Sequence, residues 1–104
     1  MQDFIDLEGA SGASYRFRRR PDGAPHLPTA GNYVIVQESA QGLKVLTVGV
    51  SLDLAQVRPP GPARAGRRQT HLFTRLNISR AVRSAEHEDV VASYRPARVV
   101  AEDA

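Results

Sequence analysis

Residues 32–39, NYVIVQES, and residues 43–50, LKVLTVGV, decide the fold class of this chain. Both runs are short, rich in β-branched residues and almost continuously apolar, which is typical of strands covered on both faces of a sheet. Only the residues AQG (40–42) separate them, and a short connection with glycine predicts a hairpin. The sequence therefore predicts an antiparallel strand pair in the middle of the domain.

A more polar pair of segments precedes this hairpin. Residues 3–8, DFIDLE, and residues 14–18, SYRFR, alternate apolar and polar side chains around GASG at 9–12. Period-two alternation around a glycine-containing turn predicts a second β-hairpin, which we assign to residues 1–19. A loop with three prolines then leads to residue 31.

The rest of the chain predicts one strand and one long helix. SLDLAQV (51–57) suits one or two helical turns with Ser51 as N-cap, QTHLFTRL (69–76) suits a strand, and 78–94 suits a helix after Asn77 as N-cap. The tail from 97 predicts a short edge strand. We therefore expect one α+β domain over residues 1–104: a small, mainly antiparallel sheet with a short helix and one long C-terminal helix.

The predicted long helix carries two apolar stripes. Ile78, Val82 and Ala85 form the first. The second combines a histidine with three apolar or aromatic residues: His87, Val90, Val91 and Tyr94. We interpret His87 as a histidine of the core or its boundary.

Length and composition exclude several classes of protein. At 104 residues with 41% hydrophobic residues the chain suits one domain, and without cysteine it has no disulfide or thiolate metal site. No apolar run approaches the roughly 20 residues of a membrane helix, and the first ten residues lack the basic cluster of a secretory signal. We expect a soluble cytoplasmic protein that does not bind a membrane.

Basic residues are concentrated in two places. The net charge is +3; residues 58–83 contain seven arginines and no acid, and residues 16–20 contain four arginines. Residues 58–68, RPPGPARAGRR, predict a mobile loop whose Arg64, Arg67 and Arg68 attract an anionic partner. The alternative interpretation is an ordinary solvated loop.

Residues 31–96 resemble the GIY-YIG nuclease domain. The matching motifs are Gly31-Asn32-Tyr33, Thr47-Val48-Gly49 and the stretch from Glu86 to Pro96, in the family's order. This resemblance implies a GIY-YIG-like core with an added N-terminal hairpin. In that family two tyrosines activate water, an arginine stabilises phosphate charge and a glutamate holds a divalent cation.

Position by position, the catalytic set is incomplete. Tyr33 matches the first tyrosine, but Thr47 occupies the second tyrosine position. The arginine position falls on Val57, one residue before Arg58, and the glutamate position falls on His87, between Glu86 and Glu88. We predict a non-catalytic protein without a cofactor. The alternative is a nuclease using Tyr33, Arg58 and Glu86 with Mg²⁺ or Mn²⁺.

A different motif follows the arginine-rich segment. Gln69, Leu72 and Phe73 form a Q-x-x-L-F pattern that resembles the peptide by which bacterial proteins bind the replicative DNA sliding clamp. The resemblance implies that the glutamine amide sets the register while leucine and phenylalanine fill an apolar cleft. Together with its small size, the chain resembles bacterial toxins that block replication at the clamp. An antitoxin adaptor that delivers the chain to a protease is then a further expected partner.

The same five residues also suit a strand. Strand alternation places Leu72 and Phe73 on opposite faces, so both can enter one cleft only if the segment leaves the sheet. It also places Phe73 between His71 and Arg75, which predicts an aromatic side chain on a polar, exposed face. A third possibility is a nucleic-acid-binding module that uses the arginine loop, although only 6% of residues are aromatic and could stack on bases.

Overall fold

The computed structural model describes residues 2–21, 24–58 and 69–101. They form a mixed α+β fold, as predicted, in which one α-helix packs on a six-stranded sheet. The strands are β1 (Phe4–Glu8), β2 (Ser14–Arg20), β3 (Gly31–Ser39), β4 (Gly42–Ser51), β5 (Gln69–Leu76) and β6 (Arg98–Val100), and the helix is α1 (Arg80–Tyr94). A single 3₁₀ turn spans Leu54–Gln56.

Both predicted hairpins are confirmed. β1 pairs with β2 and β3 pairs with β4, each antiparallel, although β2 runs to Arg20 rather than ending at residue 19. The β3–β4 register shifts after Ile35, which leaves Leu46 as an extra residue in β4. This bulge places Val45 and Val48 in the same apolar cluster although they are three residues apart. It explains why LKVLTVGV does not alternate regularly.

The last long strand, β5, is inserted in the middle of the sheet. The strand order is β1-β2-β5-β3-β4-β6, so β5 joins the two hairpins. Residues 69–76 pair with β3 along their whole length, whereas only residues 72–74 pair with β2. The edge strand predicted in the tail is confirmed as β6, which runs parallel to β4.

The sheet has two different faces. On the helix face, Val34, Val36 and Phe73 are fully buried beneath α1 together with Val90. On the turn face, Tyr33 and Leu72 pack with Leu54 of the 3₁₀ turn. Each fully buried apolar side chain contributes about 1.5–3 kcal/mol through its removal from water, so the two clusters account for much of the stabilisation.

The long helix begins later and buries a different stripe than the sequence predicts. Ser79, not Asn77, is the N-cap and accepts a hydrogen bond from the Val82 amide. Ile78 precedes the helix and is 79% exposed, and Val82 is 48% exposed. The first apolar stripe is therefore not the buried face of the helix. The second apolar stripe is buried at its centre, since His87 and Val90 are buried, which confirms the interpretation of His87 as a core or boundary histidine.

Arg83 is buried although it belongs to the basic block of the sequence. Its side chain is 2% exposed, and Nη1 donates to the backbone oxygens of Asn77 at 3.0 Å and Ile78 at 2.7 Å. It thereby satisfies carbonyl groups in the connection from β5 to α1. An arginine counted as surface charge from the sequence is thus a structural residue.

The short turn after β4 is capped by Asp53, whose carboxylate accepts a hydrogen bond from the Ala55 amide at 3.0 Å. Ser51, the predicted cap, instead accepts a hydrogen bond from the Asp53 amide and donates one to the Asp53 carbonyl.

Within the described ranges, no helix is long and apolar enough to cross a membrane.

We expect the stability of the fold to decrease below about pH 6.5 because of His87. Burial lowers its pKa below the ordinary value of 6.5, and the nearby Glu88 offsets only part of that shift. Its Nδ1 is buried without a hydrogen-bond partner among the described residues, which suits a neutral ring. As the pH falls through 6.5, the unfolded chain takes up a proton that the folded chain resists.

The slope of the unfolding free energy can then approach about 1.4 kcal/mol per pH unit for one proton. Urea unfolding between about pH 7.5 and 5.5, above the range of ordinary carboxylates, measures this slope. His87→Gln should flatten it. An unchanged slope in that variant would assign the pH dependence to another group.

Candidate partner-binding and catalytic residues

The five residues of the clamp-like motif lie in β5 as part of the sheet. Gln69 is paired with Glu38, Leu72 with Ile35 and Phe73 with Val34. Leu72 is 1% exposed on the turn face and Phe73 is 0% exposed on the helix face. Neither anchor is therefore accessible to a partner while β5 is paired.

The prediction that Phe73 lies on a polar, exposed face is wrong. The residues beside it are polar, but neither is fully exposed, and Arg75 is paired with a residue of α1. Arg75 Nε donates to Glu86 Oε1 at 2.8 Å, and the Arg75 guanidinium lies 5.5 Å from the centre of the Tyr15 ring. His71 is half-buried, and its Nε2 is buried without a partner in the described part of the chain. The carboxylate of Glu86 in α1 compensates the charge of Arg75. The polar residues of β5 therefore lie on a face that belongs to the core.

Two of the nuclease-like residues do share a site. Tyr33, Thr47, Arg58 and Arg98 line a cleft of about 610 Å³ on the turn face, which we call the tyrosine cleft. The Tyr33 ring packs over Gly49, where a Cβ atom would meet the ring, so this close approach requires glycine. Burial raises the pKa of Tyr33 above its ordinary value of 10.0, although Arg98 offsets part of the shift. A phenol with a raised pKa is a poor general base at neutral pH.

Glu86 lies on the other side of the sheet from Tyr33. Its carboxylate accepts hydrogen bonds from Arg75 and from Asn77 Nδ2 at 2.9 Å on the helix face. Asn77 also donates to the side chain of Asn32, the neighbour of Tyr33 that points to the helix face. The sheet thus separates Glu86 from the Tyr33 and Arg58 side of the predicted catalytic set. Among the described residues, no group of three or more His, Cys, Asp or Glu is placed to hold a metal ion.

The predicted electrostatic residues Arg64, Arg67 and Arg68 lie outside the described residues, as do residues 59–68 of the predicted mobile loop. The described part of the basic block is not one surface, because Arg75 is paired with Glu86 and Arg83 is buried. The high charge of residues 58–83 therefore overstates the positive charge at the surface.

A second cleft was not predicted. Arg16, Arg18, Arg20 and His26 line about 630 Å³ beside β2, which we call the arginine cleft. Arg18 is paired with Thr74, whose β3 partner is Tyr33, so this cleft lies on the turn face as well. The sequence contained a signal for this cleft, because Arg16, Arg18 and Arg20 alternate in YRFRRR. Alternate residues of a strand point to the same face of the sheet.

Hydrogen bonds fix the shape of the arginine cleft. Arg20 donates to the backbone oxygens of Ala24 at 3.2 Å, Leu54 at 3.2 Å and Val57 at 2.9 Å, and so ties β2 to the loop and to the 3₁₀ turn. His26 Nε2 lies 2.9 Å from Thr74 Oγ1. Arg16 forms an ion pair with Asp6 at 3.0 Å. The cleft is therefore held by contacts from three separate segments.

The likeness to the GIY-YIG nuclease domain rests on short motifs alone. The structure places Tyr33, Thr47 and Arg58 in one cleft but leaves Glu86 on the opposite side of the sheet. Comparison of the chain with protein-family models, with curated proteins and with solved structures finds no match.

Proposed function

We propose that this chain is a non-catalytic protein that binds the bacterial DNA sliding clamp through Gln69, Leu72 and Phe73 and inhibits replication as a toxin. The observation that carries the proposal is the Q-x-x-L-F pattern at 69–73. The resemblance to such toxins also proposes an antitoxin adaptor and a protease as partners.

Clamp binding through this motif requires a change in the sheet. Leu72 and Phe73 are buried on opposite faces, and one apolar cleft cannot receive both from a paired strand. The binding-competent form must therefore have β5 released from β2 and β3. The start of β5 is the easier end to release, because residues 69–71 pair with β3 but not with β2.

This requirement weakens the apparent affinity. The measured Kd equals the intrinsic Kd divided by the fraction of molecules with β5 released, so every 1.4 kcal/mol of opening costs about a factor of ten. Conditions that loosen the sheet should strengthen binding, whereas conditions that hold β5 in place should abolish it. Clamp binding and stability of the fold are thus coupled with opposite signs.

We expect Gln69→Ala to weaken clamp binding by roughly 2- to 12-fold, the effect of losing about 0.5–1.5 kcal/mol from one hydrogen bond. Purified full-length chain and sliding clamp, compared by calorimetry or surface binding, provide the measurement. Thr70→Ala is the matched control, because it truncates the next strand residue at a variable position of the motif. Equal affinities for the two variants would contradict a specific role for Gln69.

The nuclease alternative has weaker support. A shared cleft for Tyr33 and Arg58 favours it. However, Glu86 is paired with Arg75 on the opposite face of the sheet from Tyr33, and the pKa of Tyr33 is raised. A divalent cation bound by Glu86 would lie on the helix face, away from the phenol. We therefore retain a binding function rather than catalysis as the proposal.

A further inference from the structure

The turn face carries positive charge in two adjacent clefts, and only part of it is compensated: in the arginine cleft Arg16 is paired with Asp6 and Arg19 with Asp3. In the arginine cleft, Arg18 is exposed and forms no ion pair or hydrogen bond with the described residues, while Arg20 contacts only neutral backbone oxygens. In the tyrosine cleft, Arg58 and Arg98 are exposed and also lack partners within residues 2–21, 24–58 and 69–101. Asp53 is the only acid lining that cleft among these residues.

The two clefts are neighbours on the turn face. Arg20 lines the arginine cleft and donates a 2.9 Å hydrogen bond to the carbonyl of Val57, which lines the tyrosine cleft. An extended polyanion can therefore contact both clefts along one face, whereas a single small anion would use only one. The acids Glu86, Glu88 and Asp89 belong to α1 on the opposite side of the sheet.

We infer that this face binds the phosphodiester backbone of a single-stranded nucleic acid, with Arg18 and Arg98 contacting phosphates in the two clefts. Arginine matches phosphate because its planar guanidinium donates two parallel hydrogen bonds. Phe4 is 46% exposed at the rim of the arginine cleft, and the Arg16 guanidinium lies 5.5 Å from the centre of its ring. A base can stack on this ring by displacing Arg16 or by using the opposite ring face.

The shape of the surface favours a single strand over a duplex. The major groove of a duplex admits an α-helix or a two-stranded ribbon; α1 lies on the opposite face of the sheet, and β1 and β2 are part of the sheet itself. The turn face instead presents two concave clefts beside strands, which suits a flexible strand that follows the surface. This site uses none of Gln69, Leu72 or Phe73, so it is independent of clamp binding.

Fluorescence anisotropy of the full-length chain with a labelled oligothymidine of about 15 nucleotides tests the inference. The double variant Arg18→Gln with Arg98→Gln should reduce the slope of log affinity against log salt by about 1.4, since each phosphate contact contributes about 0.7. At about 50 mM salt the same losses correspond to an affinity decrease on the order of 50-fold.

The matched control is Lys44→Gln with Arg95→Gln, which removes two exposed charges from outside both clefts. It should retain affinity close to that of the unmodified chain. Equal losses in the two double variants would overturn the site, and so would the absence of binding at about 50 mM salt. Tighter binding of a duplex of the same length, or equal binding of polyglutamate, would overturn the assignment to single-stranded nucleic acid.

Discussion

Phe73→Ala should bind the clamp much more weakly than Phe17→Ala, although the two variants damage the same core. Both side chains are buried in the cluster of the helix face, at 0% and 2% exposure. Truncating either should cost about 3–5 kcal/mol of unfolding free energy, a large part of the 5–15 kcal/mol typical of a domain. Urea unfolding measures this shared effect.

The difference between the two variants lies in the motif. Both variants loosen the cluster that holds β5, but Phe73→Ala also removes an interface anchor, which commonly costs about 2–4 kcal/mol or roughly 30- to 1,000-fold in affinity, and this factor should separate the two variants. Phe17→Ala leaves Q-x-x-L-F intact and loosens the cluster that holds β5, so a larger fraction of molecules can bind. We expect its affinity to equal or exceed that of the unmodified chain.

Titration of purified sliding clamp with each variant measures the two affinities. Circular dichroism at the same temperature determines the folded fraction of each. If the two variants bind the clamp with similar affinity, removal of the Phe73 side chain has no effect beyond the shared change in the core, and Phe73 is not an anchor.

A disulfide between β3 and β5 should weaken clamp affinity by about 100-fold or more, because it lowers the fraction of molecules in which β5 is released. Gln37 and Thr70 are directly paired across the two strands, at separations that approach disulfide geometry. Cysteine substitutions at these two positions leave Gln69, Leu72 and Phe73 unchanged, and the chain has no other cysteine. Once oxidised, the variant cannot release the start of β5.

The same protein provides its own comparison, because a reductant should restore binding. A second pair, Glu38→Cys with Leu43→Cys, is the matched control: it links β3 to β4 and leaves β5 free to open. Only the Gln37–Thr70 link should block the clamp. Tight binding by the oxidised Gln37–Thr70 variant would show that the chain binds the clamp without releasing β5. This result would contradict the hypothesis that clamp binding requires the release of β5.

Local patterns predicted most of the secondary structure. Period-two alternation placed the first hairpin, two short apolar runs around AQG placed the second, and the helical pattern of 78–94 placed the end of α1. These features depend on neighbouring residues alone. Even the separation of Leu72 from Phe73 followed from strand geometry, because successive side chains point to opposite faces.

The burial of the helix could not be predicted from its pattern. Apolar Ile78 and Val82 are exposed, whereas Arg83 is buried because the carbonyls of Asn77 and Ile78 need donors there. A hydrophobicity pattern cannot anticipate that an arginine is required inside. Hydrogen bonds to a distant or irregular segment decide this, and they exist only after the chain has folded.

The sequence by itself determined the strands and the long helix α1 of this protein. Only the tertiary structure decided that β5 lies between β2 and β3, because strand order depends on pairing between segments far apart in the chain. That one choice buries both Leu72 and Phe73. It also places the arginines of β2 beside the cleft of Tyr33, while α1 holds Glu86 on the opposite face.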